Sequence, residues 1–237
     1  MESKYKTLSA LVYDFNYPIN QEIDGDITFY KPHLLPLENK ILELGAGNGR
    51  FLIPFLRYGL KMEALDNSPE MLGLLNQNLI DYNLQTTIHN FDVLKMNFHQ
   101  EFEAILFTNG FLNLLITQEN IYQVLKNSFR ALIKDGFVMI DLIYPNIDFK
   151  QGQQIQNVFQ IHGQDITVTN TFAEINYQNQ TTTNIIEYKS EKITEIQNFE
   201  LTWIEQEQIL EILKQIGFSK ITFFKRSRHT IIVKAYK

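Results

Sequence analysis

Hydrophobic and polar positions follow two regimes along the chain. From residue 40 to about residue 143, short apolar runs alternate with amphipathic stretches of helical spacing. Residues 40–44 (KILEL) are apolar and end at a cluster of glycines, which predicts a buried strand. Phe51, Leu52, Phe55 and Leu56 share one face of a helix expected over 48–58, with Pro54 about one turn in and Gly59 as its stop. Residues 61–65 predict a second strand. Ser68 then stands as an N-cap before Pro69, and Leu72, Leu75, Leu79 and Tyr82 continue an apolar helical face. Further strands are expected at 86–90, 104–108 and 137–143, and a helix over 118–133 carries Ile121, Val124, Leu125, Phe129 and Leu132 on one stripe. Asp135-Gly136 marks a turn before the fifth strand. Such alternation implies an α/β fold, a parallel sheet with helices on both faces.

After Pro145 the pattern changes. Residues 151–184 carry only two formal charges, Asp165 and Glu174, and are rich in Gln, Asn and Thr. A disordered linker would lack periodicity. Here Ile166, Val168 and Phe172 alternate with Thr167, Thr169 and Thr171, and His162-Gly163-Gln164-Asp165 and Asn179-Gln180 read as turns. An inserted antiparallel sheet with one buried face is therefore expected up to about Trp203. A helix follows over 205–216 with Gly217 as its cap, and runs at 221–225 and 230–236 close the chain as a hairpin. The expected division is a first domain of residues 1–148 and 204–237, interrupted by an insertion of residues 149–203.

Composition narrows the functional classes. The chain has 237 residues, 44% hydrophobic, with 21 Lys+Arg against 27 Asp+Glu and a net charge of −6. That balance argues against nucleic acid and anionic membranes as main partners. There is no cysteine, which removes disulfides, thiolate metal sites and a thiol nucleophile together. The N-terminal residues lack the apolar core of a signal peptide, and the uncharged stretch 104–118 is too short and polar to span a bilayer. A soluble cytoplasmic protein is expected.

The chemistry concentrates at Glu43-Leu44-Gly45-Ala46-Gly47-Asn48-Gly49, a strand-to-helix turn where glycines let a ligand approach the backbone. Dinucleotides, nucleoside triphosphates and S-adenosylmethionine all use such turns. A dinucleotide fingerprint would require glycine where Arg50 stands, and no Gly-Lys-Ser/Thr is present for a triphosphate loop. Glu43 would repel a pyrophosphate but suits a ligand with ammonium and sulfonium groups; its other reading is a carboxylate that caps loop amides. Asp66 ends the second strand about 20 residues beyond the turn, where a carboxylate hydrogen-bonds ribose hydroxyls. Alone, it could equally be a helix-start acid.

Together, ILELGAGNGRFLIPFLRYG and EALDNSPEML resemble motif I and the acidic loop of class I S-adenosylmethionine-dependent methyltransferases. The resemblance covers roughly residues 8–145 and 203–237. It implies a Rossmann-like seven-stranded sheet, S-adenosylmethionine as cofactor and S-adenosylhomocysteine as product. It places Glu43, Gly45, Ala46, Gly47, Asp66 and Asn67 at the cofactor. Asn90-Phe91-Asp92-Val93 is similar to the adenine-binding loop, with Asp92 at the adenine amino group and a Val93 amide beside it. Phe107-Thr108-Asn109-Gly110-Phe111 resembles motif IV, which puts Asn109 at the mouth between cofactor and acceptor. Tyr13 and Met71 join the cofactor set by resemblance, although each also reads as a core residue. The order of elements looks closest to small-molecule methyltransferases with an antiparallel lid after the fifth strand. Thr-Asn-Gly-Phe departs from the Asp/Asn-Pro-Pro-Tyr/Phe of enzymes that methylate base or glutamine amino groups.

Candidates for acceptor contact come from position: Asp141 and Tyr144 near the end of the fifth strand and Asn113 after the fourth; the resemblance adds Tyr30, from a Phe29-Tyr30 pair that in such enzymes folds over the cofactor. Asp141, His162 and Tyr144 are the candidate catalytic groups, with Asp141 also readable as a structural acid and His162 as a solvated turn. His33, His89, His99, His162 and His229 show no spacing for a metal, so none is expected. The expected activity is methyl transfer to a small-molecule N, O or C nucleophile by a monomer or homodimer. A protein or RNA acceptor, a non-catalytic cofactor-binding protein and a dinucleotide oxidoreductase remain as alternatives.

Overall fold

The computed structural model describes residues 4–146, 148 and 150–237, so the expected boundary at residue 149 lies outside the described residues. In chain order the strands are β1 (Ile41–Leu44), β2 (Met62–Asp66), β3 (Ile88–Asn90), β4 (Phe102–Phe107), β5 (Leu132–Ile143), β6 (Gln154–Ile161), β7 (Gln164–Asn176), β8 (Thr181–Lys189), β9 (Thr194–Thr202), β10 (Ser219–Lys225) and β11 (Thr230–Tyr236). The helices are α1 (Thr7–Asn16), α2 (Asp26–Leu34), α3 (Leu52–Arg57), α4 (Pro69–Asp81), α5 (Gln118–Ala131) and α6 (Gln206–Ile216). Among the described residues, no helix is long and apolar enough to cross a membrane.

Seven strands form one sheet in the order β10-β11-β5-β4-β1-β2-β3. β1 lies in its interior, parallel to β2 on one side and β4 on the other, and all four of its residues are buried. A strand covered on both faces has no solvent side, which is why Ile41, Leu42 and Leu44 show no apolar–polar alternation. β11 runs antiparallel between β5 and β10 and makes the sheet mixed. One core is built with Leu125 of α5 and Leu213 of α6; the other takes Leu34 of α2, Phe55 of α3 and Leu75 of α4. The expected Rossmann-like layering with helices on both faces is therefore present.

The polar stretch after β5 folds as the antiparallel sheet β6-β7-β8-β9. A third apolar cluster joins this lid to α1, through Leu8 and Val12 against Ile161, Ile166 and Tyr188. Glu195 of β9 also accepts hydrogen bonds from the backbone amides of Leu8 (2.7 Å) and Ser9 (3.0 Å). The lid thus supplies the acceptor that the first turn of α1 lacks in its own sequence.

Two local expectations are corrected. The helix expected over 48–58 begins only at Leu52. Gly49 holds φ +85° against Leu75, where a Cβ would lie 2.4 Å from Cδ1, so the ligand loop continues through it. β5 starts at Leu132, ahead of the Asp135-Gly136 turn, and absorbs that turn as an irregularity in its pairing with β4.

Candidate active site

The C-terminal ends of β1, β2 and β4 open onto a cleft, the expected place for a ligand in an open α/β sheet. Tyr13, Glu43, Gly45, Ala46, Gly47, Asp66, Asn67, Met71, Asp92, Val93 and Asn109 all line it. These are the residues assigned to the cofactor from the sequence. Asn48, Thr108 and Phe111, from the same two motif stretches, line it as well, and so do Lys4 and Tyr5, which were not foreseen.

The loop after β1 is shaped by its neighbours. Gly45 has φ +70°, and a Cβ there would lie 2.2 Å from Cδ2 of Phe111. Only glycine fits both the backbone and the ring. Asp66, at the end of β2, accepts from the backbone N–H of Gly47 (2.9 Å) and of Ser68 (2.9 Å). It therefore braces the loop and starts α4 while it faces the cleft. Burial raises its pKa, and the amides of Ser68, Gly47 and Asn67 act against that rise. Asp92 turns the chain after β3 by accepting from Leu94 N–H at 3.0 Å.

Glu43 lies at the floor. One carboxylate oxygen accepts from the Thr108 hydroxyl at 2.7 Å, and the other, Oε2, is buried without a partner. Burial pushes its pKa up to about 8, against the opposing Thr108 bond and the Arg50 charge. Among the described residues it caps no loop amide. A buried carboxylate oxygen left open in a cleft fits a ligand that brings a positive group. The acceptors that Glu43, Asp66 and Asp92 present around the cleft are compatible with S-adenosylmethionine.

Arg50, which stands where a dinucleotide fingerprint would have glycine, lines the cleft, but its guanidinium is taken up by the N-terminal segment. It forms a buried ion pair with Asp26 of α2 and donates to the Gln21 carbonyl at 2.7 Å. Asn48 donates to Asp14 of α1 at 2.8 Å and to the Tyr17 carbonyl at 3.0 Å. The loop that meets the ligand is thereby tied directly to α1.

A second cavity of about 760 Å³ lies between the sheet's end, α1 and the concave face of the lid. Tyr5, Tyr13, Asn109 and Leu114 line both spaces. Asn113 and Tyr144, two of the expected acceptor contacts, line this cavity. Asp141 and Tyr30 do not. Asp141 is fully buried and accepts from Tyr30 Oη (2.6 Å), Arg226 Nη1 (2.9 Å) and Asn109 N (2.8 Å). A carboxylate so engaged serves the structure, and the position of Tyr30 follows from it. His162 sits exposed at the β6–β7 turn with φ +49°, outside both spaces. Burial pushes the Tyr144 phenol up to about 12, so it is not poised as a base near neutral pH. His229 does line the lid cavity, and its carbonyl accepts from Tyr144 N at 2.8 Å. It was missed because nothing near it in sequence marks it; the β11–β5 pairing brings it there.

Comparison with known proteins agrees with this geometry. A family model described as a methyltransferase domain matches residues 41–136. The putative methyltransferase YqeM of Bacillus subtilis (strain 168) is 25% identical over 136 residues, which span 53% of this chain and 55% of that protein. The chain thus aligns with about half the length of this curated relative. Among solved structures, the CcbJ methyltransferase from Streptomyces caelestis superposes with a TM-score of 0.78 at 17% identity, covering 99% of this chain and 98% of that one. The sugar N-methyltransferase KedS8 from a Streptoalloteichus species gives 0.78 at 16% identity, with 100% and 97% covered. Those likenesses include the lid. Residues 41–136 thus match a methyltransferase domain, and the chain as a whole shares the fold of solved methyltransferases, lid included.

Proposed function

We propose that the protein transfers the methyl group of S-adenosylmethionine to an N, O or C nucleophile of a small molecule held under the lid. One observation carries this reading: Tyr5, Tyr13, Asn109 and Leu114 form a wall common to the cofactor cleft and the lid cavity. Two ligands seated in those spaces meet there. The cofactor supplies an activated methyl group. The chain's task is to align the nucleophile and exclude water. Asn109 is placed for this, because its side chain donates to Tyr13 Oη at 3.2 Å and its backbone is fixed by Asp141.

A cavity of about 760 Å³ is the size of a metabolite site. Its position between sheet and lid favours a small acceptor over a polymer. The sugar N-methyltransferase KedS8, similar in fold, points the same way. The proposal takes residues 1–148 and 204–237 as the cofactor domain and residues 149–203 as the lid. It takes Tyr13, Glu43, Gly45, Ala46, Gly47, Asp66, Asn67, Met71, Asp92, Val93 and Asn109 as cofactor contacts.

The test is an acceptor screen. The protein is incubated with methyl-labelled S-adenosylmethionine and fractionated cell metabolites, and labelled products are sought by mass spectrometry. A labelled small molecule is expected. Label found only in protein or RNA fractions would sink the small-acceptor reading.

A further inference from the structure

The lid cavity holds polar atoms that the fold does not use. Among the described residues, the buried side-chain atoms without a hydrogen-bond partner include Asn113 Oδ1, Asn170 Oδ1 and Tyr144 Oη, and all three residues line this one cavity. Buried polar atoms are normally satisfied, so a cluster of exceptions in one cavity calls for an outside partner.

The chemistry of that partner follows from the atoms. Asn113 is 7% exposed, and its amide nitrogen is committed to the carbonyls of Ile143 (2.8 Å) and Thr202 (2.6 Å). Its orientation is therefore fixed, and its oxygen is left to accept. Asn170 stands on the concave face of the lid between Ile155 and Ile186 of the adjacent strands, neither of which offers a donor. Asn184 repeats the arrangement one row on, between Phe172 and Phe199. Amides set between apolar side chains suit a ring with hydroxyls on its rim and C–H groups on its faces. Charge is scarce: Lys150 and Glu174 are the Lys, Arg, Asp or Glu side chains among the described lining residues.

We propose that the acceptor is an uncharged, hydroxyl-rich ring compound, recognised through hydrogen bonds that it donates to Asn113 and Asn170 and a hydrogen bond shared with Tyr144. This rests on the methyltransferase reading above and narrows its substrate class. A carboxylate acceptor would set oxygen against the two amide oxygens, and a flat aromatic acceptor would leave them unpaired.

The experiment uses the full chain saturated with S-adenosylhomocysteine and three probes followed by ligand-observed NMR: methyl β-D-glucopyranoside, benzoate and anisole, an aromatic ring with no hydroxyl to donate. The glucoside is expected to bind at least tenfold more tightly than the other two. Asn170→Leu and Tyr144→Phe should each weaken it about tenfold while S-adenosylhomocysteine affinity is unchanged. Asn170→Leu should also keep or raise the thermal midpoint, since it removes an unsatisfied buried group; a structural asparagine would lower it. Benzoate or anisole binding as tightly as the glucoside, or glucoside affinity indifferent to both substitutions, overturns the inference alone. Failure of the wild-type chain to bind S-adenosylhomocysteine overturns the methyltransferase reading and this inference with it.

Discussion

The carboxylate of Asp141 accepts a hydrogen bond from the backbone N–H of Asn109 at 2.8 Å, joining the end of β5 to the loop after β4. Asn109 holds φ +48°, a conformation that a non-glycine residue adopts only when its surroundings insist. The same carboxylate is held by Tyr30 and Arg226, so three distant segments converge beneath one loop. That loop carries the side chain that reaches Tyr13, on the wall between the two cavities. Asp141 is thus a positioning residue.

Its removal should be felt first in the fold. Asp141→Asn leaves the Arg226 guanidinium, whose side chain is only 3% exposed, without its countercharge. Breaking such a buried pair costs roughly 3–5 kcal/mol. Urea denaturation should show a loss of that size. Arg226→Met added to Asp141→Asn should recover part of it, because the uncompensated charge is then gone. A single variant as stable as the wild type would refute the structural assignment.

Two glycines make opposite forecasts. Gly45→Ala would push a methyl group into Phe111 at a positive φ, so cofactor affinity should fall at least tenfold and stability with it. Gly73, inside α4, has no heavy atom within 4 Å of where its Cβ would be. Gly73→Ala should therefore stabilise by about 0.5–1 kcal/mol through helix propensity, with cofactor affinity unchanged. Thermal denaturation and calorimetric titration of the two variants check both halves.

The difference between those glycines shows what the sequence made legible. The cofactor cleft is built from loops that directly follow strands, so its residues stand at fixed short distances from apolar runs and glycines. Glu43, Asp66 and Asp92 could be read for that reason. The lid cavity is assembled from long-range pairing. Asn170 and His229 reach it only through the β7–β8 and β11–β5 registers, which no local spacing encodes. α1 was missed because its first turn is capped by Glu195, far along the chain. Asp141 was found by position, but the choice between acceptor contact and structural acid stayed open, since its partners Tyr30 and Arg226 are equally remote in sequence.

Asp66 should matter to affinity more than to folding. Its two oxygens accept from Gly47 and Ser68, and each retains a lone pair directed away from those amides. A charged hydrogen-bond partner contributes roughly 1.5–3 kcal/mol to a ligand. Asp66→Ala should therefore weaken S-adenosylhomocysteine binding about tenfold to a hundredfold by isothermal calorimetry. Unchanged affinity would remove Asp66 from the ribose assignment.

Glu43 gives the site a pH dependence whose sign is fixed. Burial pushes its pKa from the ordinary carboxyl value of 4.5 to about 8 in the ligand-free protein. The folded chain then holds a proton that the unfolded chain has lost, so this group's contribution to stability falls as pH rises from 4.5 to 8 and is level above that. Cofactor affinity should move in the opposite direction. A ligand carrying sulfonium and ammonium charges favours the ionised carboxylate, so binding expels the proton at pH values below 8 and strengthens as pH approaches 8. Calorimetric titration with S-adenosylmethionine at pH 7 in buffers of different ionisation enthalpy should register proton release. S-adenosylhomocysteine, which lacks the sulfonium charge, should release less. In Glu43→Gln the release should vanish and the fold should lose its pH-dependent destabilisation between 4.5 and 8, with the Thr108 hydrogen bond retained by the amide oxygen. Equal proton release by wild type and Glu43→Gln would mean that another group titrates with the cofactor.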